Sequence, residues 1–299
     1  FPGDFIEFLR PRTIIGRFGT DGIPDLRRIP FNVHIRAQTS GGSANWVGEG
    51  KPKPVTSFEF DDVYHGWAKI AAITVLSDEL IRFSNPAAEA LVRDTLADTI
   101  VARMDTDFVD PNNSGSAGVK PKSITNGVAG IPSVGEDGDA VRADIQALWQ
   151  TAIAANLPAT GAVYITTPYI ALGLSLLTNP LGQREFPDMT MEGGRLLGRP
   201  VIVSNYVPAG NFILAFAPEL YLSDDGQVTL DASREAAIEM LDSSLVQDAT
   251  TGTGTSLVSM FQTNSVALRA ERYVNWSKRR AVAVNRLIDV NWGGVAVSS

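Results

Sequence analysis

The 299-residue chain contains no cysteine and only two histidines, His34 and His65. Without thiols there is no disulfide framework, no thiolate metal site and no cysteine nucleophile; the absence fits a reducing cytoplasm. No apolar run approaches the roughly 20 residues that a bilayer-spanning helix needs. The opening Phe1-Pro2-Gly3-Asp4 has no basic stretch ahead of an apolar one, so it does not read as a secretion signal. Cations are in the minority, 25 Lys and Arg against 33 Asp and Glu, for a formal net charge of −8. A nucleic-acid grip needs a cationic surplus, and only Arg27-Arg28 and Lys278-Arg279-Arg280 offer small basic clusters.

Catalytic patterns are equally scarce. No Gly-x-Ser-x-Gly elbow is present, and both histidines lie in one stretch of proposed hairpin, which leaves a hydrolase without a base. Gly193-Gly194-Arg195-Leu196-Leu197-Gly198 lacks the Lys-Ser/Thr ending of a phosphate loop and precedes a strand, so it reads as a turn feeding Val201. Asp61-Asp62 and Asp224-Asp225 read as solvated loop pairs rather than cation sites. Asp105 and Asp107, two apart on a helix, do not share a face. His34 and His65 read as two solvent-facing strand positions, because no third ligand stands near them. No cofactor, metal or catalytic residue is therefore expected.

What is present is an ordinary folding composition, 44% hydrophobic and 19% charged. Residues 1–27 show no sustained period and read as an extended arm. Ile29, Phe31, Val33, Ile35 and Ala37 then alternate with mostly polar residues, as a half-buried strand does. A Gly/Ser/Pro-rich stretch, residues 39–56, leads to a second strand-like run through Phe58, Phe60, Val63, Tyr64 and Trp67 to Val75, giving an extended hairpin over 28–75. Asn85-Pro86 opens a long amphipathic helix whose stripe is Leu91, Val92, Leu96, Ile100, Met104 and Phe108, with Asp105 off it. Further on, Asp139 is expected to cap a helix carrying Val141, Ile145 and Leu148. Strands are expected at 162–166, 200–204, 212–216, 228–230, 265–274 and 281–290, and a short helix from Pro168. The order is α+β: arm, hairpin, long helix, α/β segment, closing strands.

That order carries a resemblance. Trp46-Val47-Gly48-Glu49-Gly50-Lys51-Pro52-Lys53-Pro54, followed by Phe58 and by Lys69 to Val75, resembles the hairpin called the E-loop in major capsid proteins of tailed bacteriophages, of the Hong Kong 97 type. Leu76-Ser77-Asp78-Glu79-Leu80-Ile81 is similar to that family's entry into its spine helix. Leu197-Gly198-Arg199-Pro200-Val201 resembles its large–Gly–x–Pro–Val strand, and Val266 to Arg272 its late return strand. The matches are collinear over most of the chain.

The resemblance implies an α+β capsid fold: an N-terminal arm (1–27), an E-loop (28–75), a P-domain with the spine helix (76–126), a central A-domain (127–222), P-domain return strands (223–278) and a final strand returning to the A-domain (279–299). It implies a structural, non-enzymatic subunit that assembles with copies of itself into hexamers and pentamers of an icosahedral head. Double-stranded DNA would be packaged inside without sequence-specific binding. Portal, scaffold or protease, and decoration proteins are the implied partners, with no membrane. The implied location is the virion, assembled in the host bacterial cytoplasm, and the family's proteolytic removal of a leading segment would account for a start at Phe1. Trp46, Glu49, Lys51 and Lys53 are the expected E-loop contacts, and Lys53 stands near the place of the lysine that forms an isopeptide cross-link in some members. Two other readings compete: an encapsulin nanocompartment shell protein, which would have a cargo-docking helix at its N-terminus, and an α/β enzyme with a polar pocket within residues 139–222.

Overall fold

Alternating apolar and polar residues from Val33 favour an extended chain, because only a period of two keeps one kind of side chain on one face. The computed structural model describes residues 13–40, 46, 49, 59–79, 87–239 and 257–294, and it has strand β2 (Val33–Ser40) there. The two-residue β1 (Arg27–Arg28) precedes it; β3 (Glu59–His65) and β4 (Lys69–Ser77) follow. β2 and β3 form a two-stranded antiparallel ribbon running from Val33↔His65 to Ser40↔Glu59, with an irregularity between Gln38 and Ser40. β4 does not continue it. The chain breaks between His65 and Lys69, and β4 pairs instead at nine positions with β14 (Ser265–Lys278), from Lys69↔Tyr273 to Ser77↔Ser265. The hairpin expected over 28–75 thus ends at His65.

The N-terminal stretch also departs from expectation. Ile14–Arg17 form a helical turn, and Ile14, Ile15, Phe18 and Leu26 are buried, so the described part of the expected arm is packed down. A turn this short leaves no period to read. Residues 1–12 and the expected cap Asn85-Pro86 lie outside the described residues.

The long helix spans Ala87–Val109, 23 residues or about 34 Å at ~1.5 Å per residue. Leu96, Ala97, Ile100, Val101, Met104 and Phe108 are its buried stripe. Towards the C-terminus the buried surface widens to take in Asp105 and Asp107. Asp105 was expected off the stripe and is instead completely buried. The helix ends on polar side chains from later in the chain. Asn113 Nδ2 donates to the Asp107 carbonyl (2.8 Å), Ser123 Oγ to that of Phe108 (2.8 Å) and Thr125 Oγ1 to that of Val109 (2.7 Å). Those are carbonyls with no partner inside a helix.

The remaining strands are β5 (Gly130–Pro132), β6 (Ala162–Thr166), β7 (Met189–Thr190), β8 (Gly193–Leu196), β9 (Arg199–Val203), β10 (Phe212–Phe216), β11 (Leu220–Ser233), β12 (Ala237–Glu239), β13 (Leu257–Ser259) and β15 (Val284–Ile288). The chain divides into two compact units, one gathering Lys69–Met104 and Asp225–Tyr273, the other Ile14–Ala68, Asp105–Asp224 and Val274–Ser299. In the first, the β4–β14 pair carries a charge ladder, Lys69 to Glu271 at 3.3 Å and Arg269 to Asp231 of β11 at 2.7 Å. Arg272 lies buried there with its guanidinium 4.0 Å from the Met104 sulfur.

The second unit is organised around a seven-stranded mixed sheet in the order β5-β15-β10-β6-β9-β8-β7. β6 and β10 are buried at all five of their positions, which is why they read as unbroken apolar runs rather than alternating ones. The helix Gly138–Ala154 buries Val141, Ile145, Leu148 and Ala152 in the core of this unit. Its cap is Asp137, which accepts the Ala140 N–H at 2.8 Å; Asp139, expected there, sits two residues further on in the first turn and pairs with Arg142. The short helix Pro168–Leu176 is capped by Thr167 and packs so closely on the Trp292–Gly294 turn that a Cβ at Gly173 would lie 2.0 Å from the Trp292 carbonyl oxygen. β8 and β9 are joined by Leu197-Gly198, both at positive φ (48° and 76°), as a two-residue hairpin turn requires. The glycine-rich run is a hairpin, as its place before a strand implied.

Candidate assembly interface

Of the four expected E-loop contacts, Trp46 is fully exposed at 105% and Glu49 is exposed; Lys51 and Lys53 lie outside the described residues. The ribbon that leads to them is held at its root. Asn32, at φ 58°, donates its N–H to the His65 carbonyl, and its side-chain oxygen accepts the Tyr64 hydroxyl at 2.9 Å. In register, His34 faces Tyr64, with ring centroids 5.0 Å apart, and His65 faces Val33. The two histidines therefore occupy opposite faces of the ribbon and make no pair. Among the described residues no cluster of three or more His, Asp or Glu could hold a metal ion.

His65 is not a solvent-facing position. It is 2% exposed, with Nδ1 3.0 Å from Ser277 Oγ, and burial pushes its pKa below the usual imidazole value while the Asn275 backbone opposes the shift. Around it the ribbon's root is sewn to the return strand. Asn275 Nδ2 donates to the Gly66 carbonyl (2.8 Å), Val274 N–H to that of Ala68 (3.0 Å), and Trp276 Nε1 to that of Lys122 (3.0 Å). Trp276 meets Phe108 edge-on at 5.3 Å. A cleft of about 470 Å³ opens here between the 64–68 turn, the 114–122 loop and residues 275–277. The ribbon thus starts from a firm base.

A second polar node lies under the N-terminal turn. Asp105 Oδ1 accepts the Ile14 N–H at 2.9 Å and Oδ2 lies 3.2 Å from Ser204 Oγ. Burial pushes the Asp105 carboxyl up to about 7, against the opposing pull of those two hydrogen bonds and of the Arg17 charge. Arg17 itself donates to the Val203 carbonyl at 2.8 Å. Sequence reasoning missed this node, whose members Ile14 and Ser204 stand 91 and 99 residues from Asp105.

Residues 29–286 match the model of the phage capsid family. The chain belongs to that family. A capsid polyprotein of Pseudomonas phage PAJU2 is 51% identical over 294 residues, which cover 97% of this chain and 44% of the relative. The major capsid protein of Klebsiella oxytoca phage phiKO2 is 24% identical over 256 residues, 81% of this chain and 58% of the relative. This capsid-family chain therefore spans about half the length of the curated relatives it matches. Among solved structures, a chain of Mycobacterium phage Cain superposes with TM-score 0.67 at 15% identity, covering 90% of this chain and 88% of that one. The capsid of a native GTA particle gives TM-score 0.61 at 13% identity, with 92% of each chain covered. At such identities the likeness is one of fold, here a mixed α+β fold shared with phage capsids.

These relatives are capsid proteins, which separates the chain from the enzyme reading. The family match is to phage capsids, and it disfavours the encapsulin alternative.

Proposed function

We propose that this chain is the major capsid subunit of a tailed phage, a structural protein that assembles with its own copies into hexamers and pentamers of an icosahedral head around double-stranded DNA. The observation that carries the proposal is the β2–β3 ribbon: it pairs with no other strand of the described residues and leads to the fully exposed Trp46. A two-stranded ribbon alone is marginally stable in water, and an exposed indole gains most by burial, so a neighbouring subunit is the natural partner of both. The acidic balance of the chain, −8, suits a container that must release its DNA.

On this reading the sheet-centred residues 127–222, joined by β15 from 279–299, form the A-domain at the capsomer centre. The long helix and the return strands of 223–278 belong to the peripheral P-domain, and the ribbon is the E-loop. Portal, scaffold or maturation protease, and decoration proteins are the further partners, and the shell is built in the host cytoplasm before it becomes part of the virion. Trp46, Glu49, Lys51 and Lys53 make the inter-subunit contacts, with Lys53 the candidate for a covalent link. Purified protein should form closed particles by negative-stain microscopy and sediment as such; monomers under every assembly condition tried would sink the proposal.

A further inference from the structure

Asp105 is a buried acid placed where three separate pieces of chain meet: the Ile14–Arg17 turn, the long helix that carries it, and Ser204 at the end of β9. It is 0% exposed. The charge that bears on it is the Arg17 guanidinium, which is already committed to the Val203 carbonyl. The other groups facing it, the Ile14 N–H and the Ser204 hydroxyl, are neutral. A carboxylate in such a place loses its hydration for two neutral donors and one shared cation. A carboxylic acid fits without that loss: Oδ1 keeps the Ile14 N–H while the acid proton on Oδ2 is shared with Ser204 Oγ.

We propose that Asp105 is a proton-operated latch: uncharged, it clasps the Ile14–Arg17 turn to the end of β9, and charged, it weakens that clasp. The proton comes from solvent and returns to it, so loosening follows rising pH. The balance between the two forms tips near neutrality, since burial raises this carboxyl to about 7. The sign follows from linkage. The folded turn binds a proton that the unfolded chain, with an ordinary aspartate of 3.8, has already released. The clasp is therefore complete below about 3.8 and is lost progressively as pH rises to about 7. No other function of the chain need hold for this device to work.

Hydrogen exchange of the Ile14–Phe18 amides in the purified protein tests it, with protection corrected for intrinsic exchange and followed from pH 5 to 8.5. Asp105→Asn, which copies the uncharged acid, is the comparison, and because both proteins share every other titrating group the ratio isolates Asp105. The ratio of variant to wild-type protection should climb by up to about tenfold per pH unit between 5 and 7 and level off above 8. A ratio independent of pH would overturn the proposal. If Asp105→Asn fails to fold, Arg17→Gln serves: removing the cation that favours the carboxylate should move the loss of protection to higher pH, and an unmoved midpoint would be equally fatal.

Discussion

Trp292 shows how much one side chain carries. It is 1% exposed, its ring lies 4.8 Å from that of Phe212, and its Nε1 donates to Asp144 Oδ2 at 2.9 Å. Asp144 in turn accepts from Ser133 Oγ (2.5 Å) and from the Val134 N–H (3.0 Å), so the indole sits between an aromatic stack and a satisfied buried carboxylate. Trp292→Ala would open a cavity and leave Asp144 short of a donor, and should cost about 3–5 kcal/mol in chemical denaturation. His65 makes a different residue-scale prediction. Its folded pKa lies below the usual 6.5 because of burial, so its contribution to stability is present above about 6.5 and is lost as pH falls through the lower folded value. His65→Gln should therefore lose less stability than the wild type between pH 7 and pH 5, read from denaturation midpoints; equal losses would remove His65 from the account.

At the scale of elements, the contact between the Pro168–Leu176 helix and the Trp292–Gly294 turn is backbone against backbone. Gly173→Ala would ordinarily strengthen a helix by up to about 1 kcal/mol. Here the added methyl meets a carbonyl oxygen that no rotamer can clear, so the substitution should destabilise by about 1–3 kcal/mol, measured as a fall in the thermal midpoint. Elements were legible wherever local chemistry sufficed: β6 and β10 as unbroken apolar runs, the Pro168 helix from its proline, the long helix from Leu96 to Phe108. The misreadings share a cause. Asp105 looked like a surface residue because its partners Ile14 and Ser204 are remote, and His65 because Ser277 is. β11 looked like three residues at 228–230 because Asp224-Asp225-Gly226 interrupts its pattern, while the chain stays extended over Leu220–Ser233. Of the expected interface residues, Trp46 and Glu49 are exposed; the firm root of the ribbon depends on Asn275 and Trp276, far away in sequence.

On the scale of the whole molecule, assembly through the ribbon has two testable consequences. Deleting residues 41–53 shortens the connection between β2 and β3 and leaves β6, β10 and their helices untouched, so the variant should keep its unfolding midpoint within a few degrees yet fail to form particles by microscopy. Normal shells from the deletion would show that the ribbon is no clasp. If Lys53 links neighbours covalently, mature particles boiled in detergent should give a ladder above the monomer band, and Lys53→Ala should abolish it; a single band from wild-type particles would leave a non-covalent shell.

The β4–β14 pairing has a consequence for biosynthesis. Ser77 cannot meet Ser265, nor Lys69 meet Tyr273, until the ribosome has delivered the later strand. At about 5–20 residues per second, the intervening stretch of roughly 190 residues takes on the order of 10–40 s to translate. Throughout that interval β4, with its apolar Ile70, Ile73, Val75 and Leu76, hangs from the nascent chain as an open edge. A subunit made in the crowded cell is therefore most exposed to wrong pairings while it is still being translated, and chaperone capture of nascent chains should peak before residue 265 emerges.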